Sequence, residues 1–202
     1  MGEFFVGTIK FIFAILLLPL VLACGINFYD HWVNFPVMYG HFFKWGAGIF
    51  LLLFLFFYQF RPVYEFGQKI VAFLFKFASP FDQFLSHILP FYTILIFLSL
   101  CLLKKFFSID NFDHYFLFFA GFTLTMHILC VALELQEQES SPFKPSYLLR
   151  MNFILILASI LAVLFLDVIV GEFTFAAFLK SVFATVKTYY FFIFKKLFLP
   201  VI

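Results

Sequence analysis

Four side chains that could move a proton or hold an ion share one face of a predicted helix. They are Thr123, His127, Cys130 and Glu134, at spacings of four, three and four residues. Residues three and four apart are neighbours on a helix surface, so this spacing forms a stripe. Ionisable groups inside a membrane span are costly and are often functional. The stripe predicts either a proton or ion relay or, as the favoured interpretation, a structural role in which His127 bonds a neighbouring helix and Glu134 lies at the water line.

A second set of charged residues lies around the last predicted turn of the chain. Asp167 stands near the end of one apolar run, Glu172 follows it, and Lys180 lies in the next helix. A charge inside a bilayer is usually paired with another. We therefore expect an ion pair between two helices that involves these three residues and fixes their register.

Neither a metal site nor a haem site is expected from the histidines. Asp30, His31 and His41 could be drawn together on paper, but they lack a standard ligand spacing. Haem would need two facing axial ligands, and only His127 lies well inside a span, while His87 stands at the entry of another. No metal and no cofactor are predicted.

The three cysteines and the known catalytic motifs add no enzymatic signal. Cys24, Cys101 and Cys130 all lie in apolar runs and form no CxxC pair, so buried small side chains are expected. The chain contains no GxSxG, no P-loop and no Gly-rich dinucleotide turn. No catalytic residue is therefore predicted, and a non-enzymatic protein is favoured.

A stretch of mixed polarity lies between the apolar runs and predicts an amphipathic helix over 62–79. Its polar face carries Glu65, Gln68, Lys69 and Lys76. Its apolar face is formed by Phe66, Ile70, Phe73, Leu74 and Phe77. Pro62 suits a first helical turn, and Pro80 ends the helix. Such a helix is expected to lie at the interface between water and lipid.

Within this helix, Tyr64–Ala72 resembles the zinc-binding helix of membrane-embedded zinc proteases of the site-two type. That family carries HExxH on an apolar helix, often after an aromatic residue and a glycine, as Phe66 and Gly67 stand here. Gln68 and Ala72 occupy the positions of the two zinc-binding histidines, and Lys69 occupies that of the catalytic glutamate. The resemblance therefore implies a scaffold without zinc and without protease chemistry.

The composition requires a membrane. The chain is 65% hydrophobic and 12% charged, with 39 Phe among 202 residues. Soluble domains carry about 25% charged residues. Its basic residues are scattered, so no nucleic acid is expected as a partner. An all-α, polytopic transmembrane helical bundle is predicted, with the lipid bilayer as its surroundings.

Six spans fit the chain best, and five remain the alternative. Between the first two spans, an aromatic interfacial loop is expected over 27–41, and Pro90 is expected to break or kink the third span. Val21–Cys24 is similar to the lipidation box of bacterial lipoproteins, but a retained first span is preferred. The predicted spans are 9–26, 42–60, 84–103, 115–133, 151–170 and 173–198, the last being amphipathic and either a sixth span or an interfacial helix.

Charge asymmetry favours six spans with both termini in the cytoplasm. The inner side would then hold eight Lys and Arg and the outer side three, as the positive-inside rule requires. A bacterial inner membrane is the expected location. The expected function is an accessory, anchoring or assembly subunit of a membrane complex, with other membrane subunits as partners and a homo-oligomer left open. The alternatives are a small transporter that uses the His127 and Glu134 face, and a protease-like scaffold without catalysis.

Overall fold

The computed structural model describes residues 2–34, 37–57, 60–79, 82–107, 112–139, 144–170 and 174–198. Within these ranges the chain is all-helical. The eight α-helices are α1 (Gly2–Val33), α2 (Val37–Phe57), α3 (Arg61–Leu74), α4 (Asp82–Ile88), α5 (Phe91–Phe107), α6 (Asp113–Glu139), α7 (Pro145–Val170) and α8 (Phe175–Phe198). A single 3₁₀ turn, Lys76–Ala78, follows α3.

Five of these helices, α1, α2, α6, α7 and α8, are long and apolar enough to cross a membrane. Helix α5 is also apolar and has 17 residues, a length of about 26 Å at the usual rise per residue. Large apolar side chains such as Leu55 and Phe56 point outward and are 81% and 76% exposed. Outward apolar surfaces of this extent mark contact with a membrane or with other proteins, and the five apolar helices of membrane length indicate a membrane. The chain is an integral membrane protein, and the expected bundle of five to six spans is confirmed.

Helices α1 and α7 run in the same direction. Lys10 Nζ lies 3.2 Å from Ser146 Oγ near their N-termini, and Asn152 donates a 2.8 Å bond to the Ala14 carbonyl. At the other end of the two helices, His31 Nε2 lies 3.7 Å from Asp167 Oδ1. Helix α8 runs antiparallel to α1, because Asn27 bonds Thr185 and the Tyr190 hydroxyl donates to the Leu16 carbonyl. Helix α8 thus lies lengthwise along α1.

Helices α2 and α6 also run parallel, since Phe42 packs on His114 and Phe50 packs on Phe122. Their backbones are in close contact where Gly46 meets Phe118 and Gly121 meets Phe43. Helix α5 is antiparallel to α6, since Thr93 pairs with Thr123 and Lys104 with Asp113. Lys104 also donates to the Val168 carbonyl at the end of α7, so α7 is antiparallel to α6. The directions of α1, α2, α5, α6, α7 and α8 therefore alternate along the chain. We call the two ends of the bundle the Glu134 end, where α3 and α4 lie, and the Asp167 end, where α7 finishes and α8 begins.

The expected loop over 27–41 is wrong. Helix α1 continues to Val33, with Pro19 inside it, and α2 already begins at Val37. Asn27 belongs to the helix because its side chain bonds the Ala23 carbonyl and α8. Asn27 and His31 of this segment thus contact other helices, whereas the sequence suggests that they face the headgroups; Asp30, Asn34 and His41 are exposed.

Other boundaries also differ from those expected. Helix α6 extends to Glu139 and α7 starts at Pro145, so the connection between them is shorter than the gap between the predicted spans 115–133 and 151–170. The helix expected over 62–79 ends at Leu74 and gives way to the 3₁₀ turn. The expected break at Pro90 is confirmed, since α4 ends at Ile88 and α5 begins at Phe91. Proline interrupts the helix because it has no N–H to donate.

Candidate functional site

The Glu134 carboxylate is the centre of a polar cluster at one end of the bundle. Gln68 Nε2 of α3 donates a 2.9 Å hydrogen bond to Glu134 Oε2. His87 Nε2 of α4 lies 3.3 Å from Glu134 Oε1. Gln68 also contacts the Tyr64 hydroxyl through a short hydrogen bond. Glu134 of α6 therefore ties α3 and α4 to the bundle, and we call this set the Glu134 cluster.

His127 lies deeper in the same groove and is 4% exposed. Its Nε2 is 3.2 Å from the carbonyl oxygen of Ile88, and its ring centroid is 5.9 Å from that of Tyr64. Ile88 is the last residue of α4, where the helix breaks before Pro90 and leaves a carbonyl without its usual intrahelical partner. His127 supplies that partner, so its placement depends on the break.

The other two members of the stripe on α6 also face neighbouring helices. Thr123 Oγ1 and Thr93 Oγ1 of α5 are 3.0 Å apart and buried. Cys130 is buried in a cluster with Phe50 and Tyr64. The structure thus brings the whole expected stripe against α2, α3, α4 and α5. Its polar members join helices.

An ion network lies at the outer edge of the Glu134 cluster. Arg61 forms ion pairs with Glu65 at 3.0 Å and with Glu137 at 2.8 Å. The hydrogen bonds that Arg61 donates to Glu137 and, with a smaller effect, to Glu65 raise the pKa of the exposed guanidinium. Burial, with a smaller effect of the Glu134 charge, raises the pKa of the Tyr64 hydroxyl well above its usual range. Tyr64 therefore stays protonated and can serve as a hydrogen-bond partner only.

The polar face expected on the amphipathic helix is divided in the structure. Gln68 turns inward to Glu134, whereas Lys69 and Lys76 are exposed. The buried side of α3 is formed by Tyr64, Gly67 and Val71. The aromatic side chains expected on the apolar face point away from the bundle: Phe66 is 61%, Phe73 is 77% and Phe77 is 85% exposed. In a bilayer such outward aromatic side chains face lipid.

A second polar cluster surrounds Asp167 at the opposite end of the bundle. His31 Nε2 lies 3.7 Å from Asp167 Oδ1. The Thr174 hydroxyl and the backbone N–H of Phe175 donate short hydrogen bonds to the same carboxylate. Asp167 thus caps the start of α8, where N–H groups need acceptors. Within the described chain its partner is His31 in place of the expected Lys180, and the expected partner Glu172 lies outside the described residues.

Asn27 fixes α8 against α1 in a position that the sequence does not reveal. Its Nδ2 bonds Thr185 Oγ1 at 3.1 Å, and the Ser181 hydroxyl donates to its Oδ1. Ser181 and Thr185 are four residues apart, which is the only sequence signal for this contact. An open cleft between α1 and α8 is lined by Asn27, Asp30, His31, Asn34, Thr174 and Ser181.

Metal binding gains no support from either cluster. Within the described ranges, no three His, Cys, Asp or Glu side chains are close enough together to hold a metal ion. Asp30 and His31 both line the cleft between α1 and α8, while the side chain of His41 on α2 is exposed. Both clusters can hold helices together by hydrogen bonds.

The outward surface of α8 carries the remaining unusual feature. Lys180 and Lys187 lie on it and are exposed, as are Lys195 and Lys196 in the last turn of the helix. The α8 outer face consists of Lys180, Phe183, Ala184, Lys187, Phe191 and Phe194. Lysine at the centre of a membrane helix costs about 2.5–3.5 kcal/mol on insertion scales and usually faces a protein interior. Lys187 faces away from the bundle.

Comparisons with protein-family models, curated proteins and solved structures found no match to this chain.

Proposed function

We propose that this protein is a non-enzymatic membrane subunit that anchors or assembles a larger membrane complex. The observation that carries the proposal is the exposure of Lys187 in the middle of a membrane-length helix. A helix with a charge in that position is stable in a bilayer when another protein covers it. The protein is thus built to have a neighbour in the membrane.

We infer further that both termini lie in the cytoplasm of a bacterial cell, with the chain in its inner membrane. Most of the Lys and Arg residues lie at the Glu134 end. They are Lys10, Arg61, Lys69, Lys76, Lys144, Arg150, Lys195 and Lys196. Lys44, Lys104, Lys105 and Lys180 belong to the Asp167 end. The side with more cations is normally the cytoplasmic one.

Two contacts weigh against the alternative of a transporter that uses the α6 stripe. His127 is buried and its Nε2 is within bonding distance of the Ile88 carbonyl, and Thr123 is paired with Thr93. A transport site needs an aqueous route and usually broken helices in two matching halves. The broken element here consists of α4 and α5. The Ile88 carbonyl that the break leaves free already has His127 as its partner.

The proposal is tested by purifying the protein from its native membrane in a mild detergent. The mass and the composition of the particle are measured together. We expect foreign membrane subunits in fixed stoichiometry, at a total mass several times that of the 23.8 kDa chain. A lone monomer, or a particle that contains only copies of this chain, would overturn the proposal.

The variant His127→Ala/Glu134→Gln separates the subunit from the transporter. In a transporter that moves protons or ions through this face, the double substitution abolishes function. In a subunit, it weakens a few interhelical hydrogen bonds, each worth about 1 kcal/mol. We expect the variant to complement a deletion strain when its membrane level is normal. Loss of function at normal protein level and with normal subunit composition would favour the transporter.

A further inference from the structure

Lys187 lies at the midpoint of α8. Helix α8 runs from Phe175 to Phe198, so Lys187 is about 17–18 Å from either end along the helix axis. The hydrocarbon core of a bilayer is about 30 Å thick. Lysine near a helix end can extend its ammonium group to the interface, as Lys180 can. From the midpoint this is not possible, and the charge needs a partner at its own depth.

The chain itself supplies no such partner within its described residues. Lys187 takes part in no hydrogen bond, ion pair or ring contact there. The polar groups of α8 that face α1, Ser181 and Thr185, lie on the other side of the helix and bond Asn27. The acidic side chains described lie toward the two ends of the bundle: Asp30, Asp113 and Asp167 at one, and Glu65, Glu134 and Glu137 at the other.

A second copy of this chain is a poor occupant for the α8 outer face. Because Lys187 is at the midpoint, α8 packed against another α8 brings two Lys187 side chains together in both the parallel and the antiparallel arrangement. Two cations at close range in a medium of low dielectric constant repel each other strongly. Packing of two α8 outer faces against each other is therefore unfavourable.

We propose that the α8 outer face binds a transmembrane helix of a different protein that carries an Asp or Glu near the middle of the bilayer. The carboxylate pairs with the Lys187 ammonium, as charged residues within membrane proteins usually pair. Ala184 lies one turn from Lys187 and allows a close approach of the partner helix. Phe183, Phe191 and Phe194 then pack around the pair and exclude lipid headgroups and water. This assignment rests on the subunit function proposed above and specifies the chemistry of its partner.

The pairing is tested with the full chain in phosphatidylcholine vesicles and with synthetic transmembrane peptides as probes. One peptide is a Leu- and Ala-rich helix with a central Glu, and the second has Gln in its place. Energy transfer between labelled protein and labelled peptide measures binding. We expect the Glu peptide to bind at least about ten-fold more tightly than the Gln peptide, which corresponds to about 1.4 kcal/mol.

Substitutions on the α8 outer face provide the controls. Lys187→Met keeps the shape and removes the charge, so it should abolish the preference for the Glu peptide. Lys180→Met replaces a lysine on the same face but near the helix end, so this variant should retain the preference for the Glu peptide. Equal binding of the two peptides to the wild-type chain would overturn the assignment, as would an unchanged preference in Lys187→Met.

Purification of the protein from its native membrane distinguishes failure of this assignment from failure of the proposed function. We expect the foreign subunits to leave the Lys187→Met particle and to stay with the Lys180→Met particle. If Lys187→Met keeps them, the assignment of the α8 outer face is wrong and the subunit function stands. If the wild-type chain is purified without foreign subunits, the proposed function itself is wrong.

Discussion

Gly46→Ala and Gly121→Ala should each destabilise the bundle more than most single substitutions. A Cβ at Gly46 would lie 1.9 Å from the Phe118 carbonyl oxygen, and one at Gly121 would lie 2.2 Å from the Phe43 carbonyl oxygen. Both obstacles are backbone atoms, so relief requires α2 and α6 to separate. Overpacking usually costs about 1–3 kcal/mol, and we expect about 3 kcal/mol or more at each position.

Gly48→Ala is the matched control for both substitutions. Gly48 lies in the same helix as Gly46, two residues away, and has no atom within 4 Å of a Cβ added to it. Alanine favours a helix by about 1 kcal/mol relative to glycine, so Gly48→Ala should be neutral or stabilising. Unfolding is followed in mixed micelles as the mole fraction of SDS is raised. If Gly46→Ala unfolds at the same midpoint as Gly48→Ala, the close approach of α2 and α6 is wrong.

The difference between Gly46 and Gly48 illustrates what the sequence could predict. Both glycines suggest a close helix contact, and the apolar run around them predicts a span. The sequence does not show which side of α2 packs against α6, because the lipid and the protein interior are both apolar. Hydrophobic periodicity, which identifies the buried side of a helix in water, carries little information in a membrane.

The same limit explains the loop that was expected after the first span. Asn27 looks like a loop residue, yet it bonds α8 within the bundle. Signals that act through the backbone are more dependable. The break at Pro90 could be predicted because a missing N–H has the same effect in lipid and in water.

The site residues could be predicted in part. The stripe of Thr123, His127, Cys130 and Glu134 follows from helical spacing alone, and its common face is present in the structure. Their partners come from α2, α3, α4 and α5, and no local pattern relates Glu134 to His87 or to Gln68. Contacts between residues distant in the chain are fixed by the packing of whole helices, so they need the three-dimensional structure.

Lys104 holds the Asp167 end of the bundle together. Its Nζ lies 3.1 Å from Asp113 of α6 and donates 3.1 Å hydrogen bonds to the carbonyls of Val168 and Ile169 at the end of α7. One ammonium thus neutralises a buried carboxylate and satisfies two terminal carbonyls, which also attract a cation through the helix dipole. Three helices, α5, α6 and α7, depend on this group.

Lys104→Met should therefore be strongly destabilising, whereas Lys105→Met should have little effect. Removal of one partner from a buried ion pair costs about 3–5 kcal/mol, and we expect the lower part of that range because Lys104 keeps some exposure. Lys105 is the adjacent lysine and its side chain is exposed. The midpoint of SDS unfolding measures both effects. In the double variant Lys104→Met/Asp113→Asn the carboxylate charge is also absent, so the loss should be smaller than in Lys104→Met alone. Equal midpoints for Lys104→Met and Lys105→Met would show that this end of the bundle is held by apolar packing.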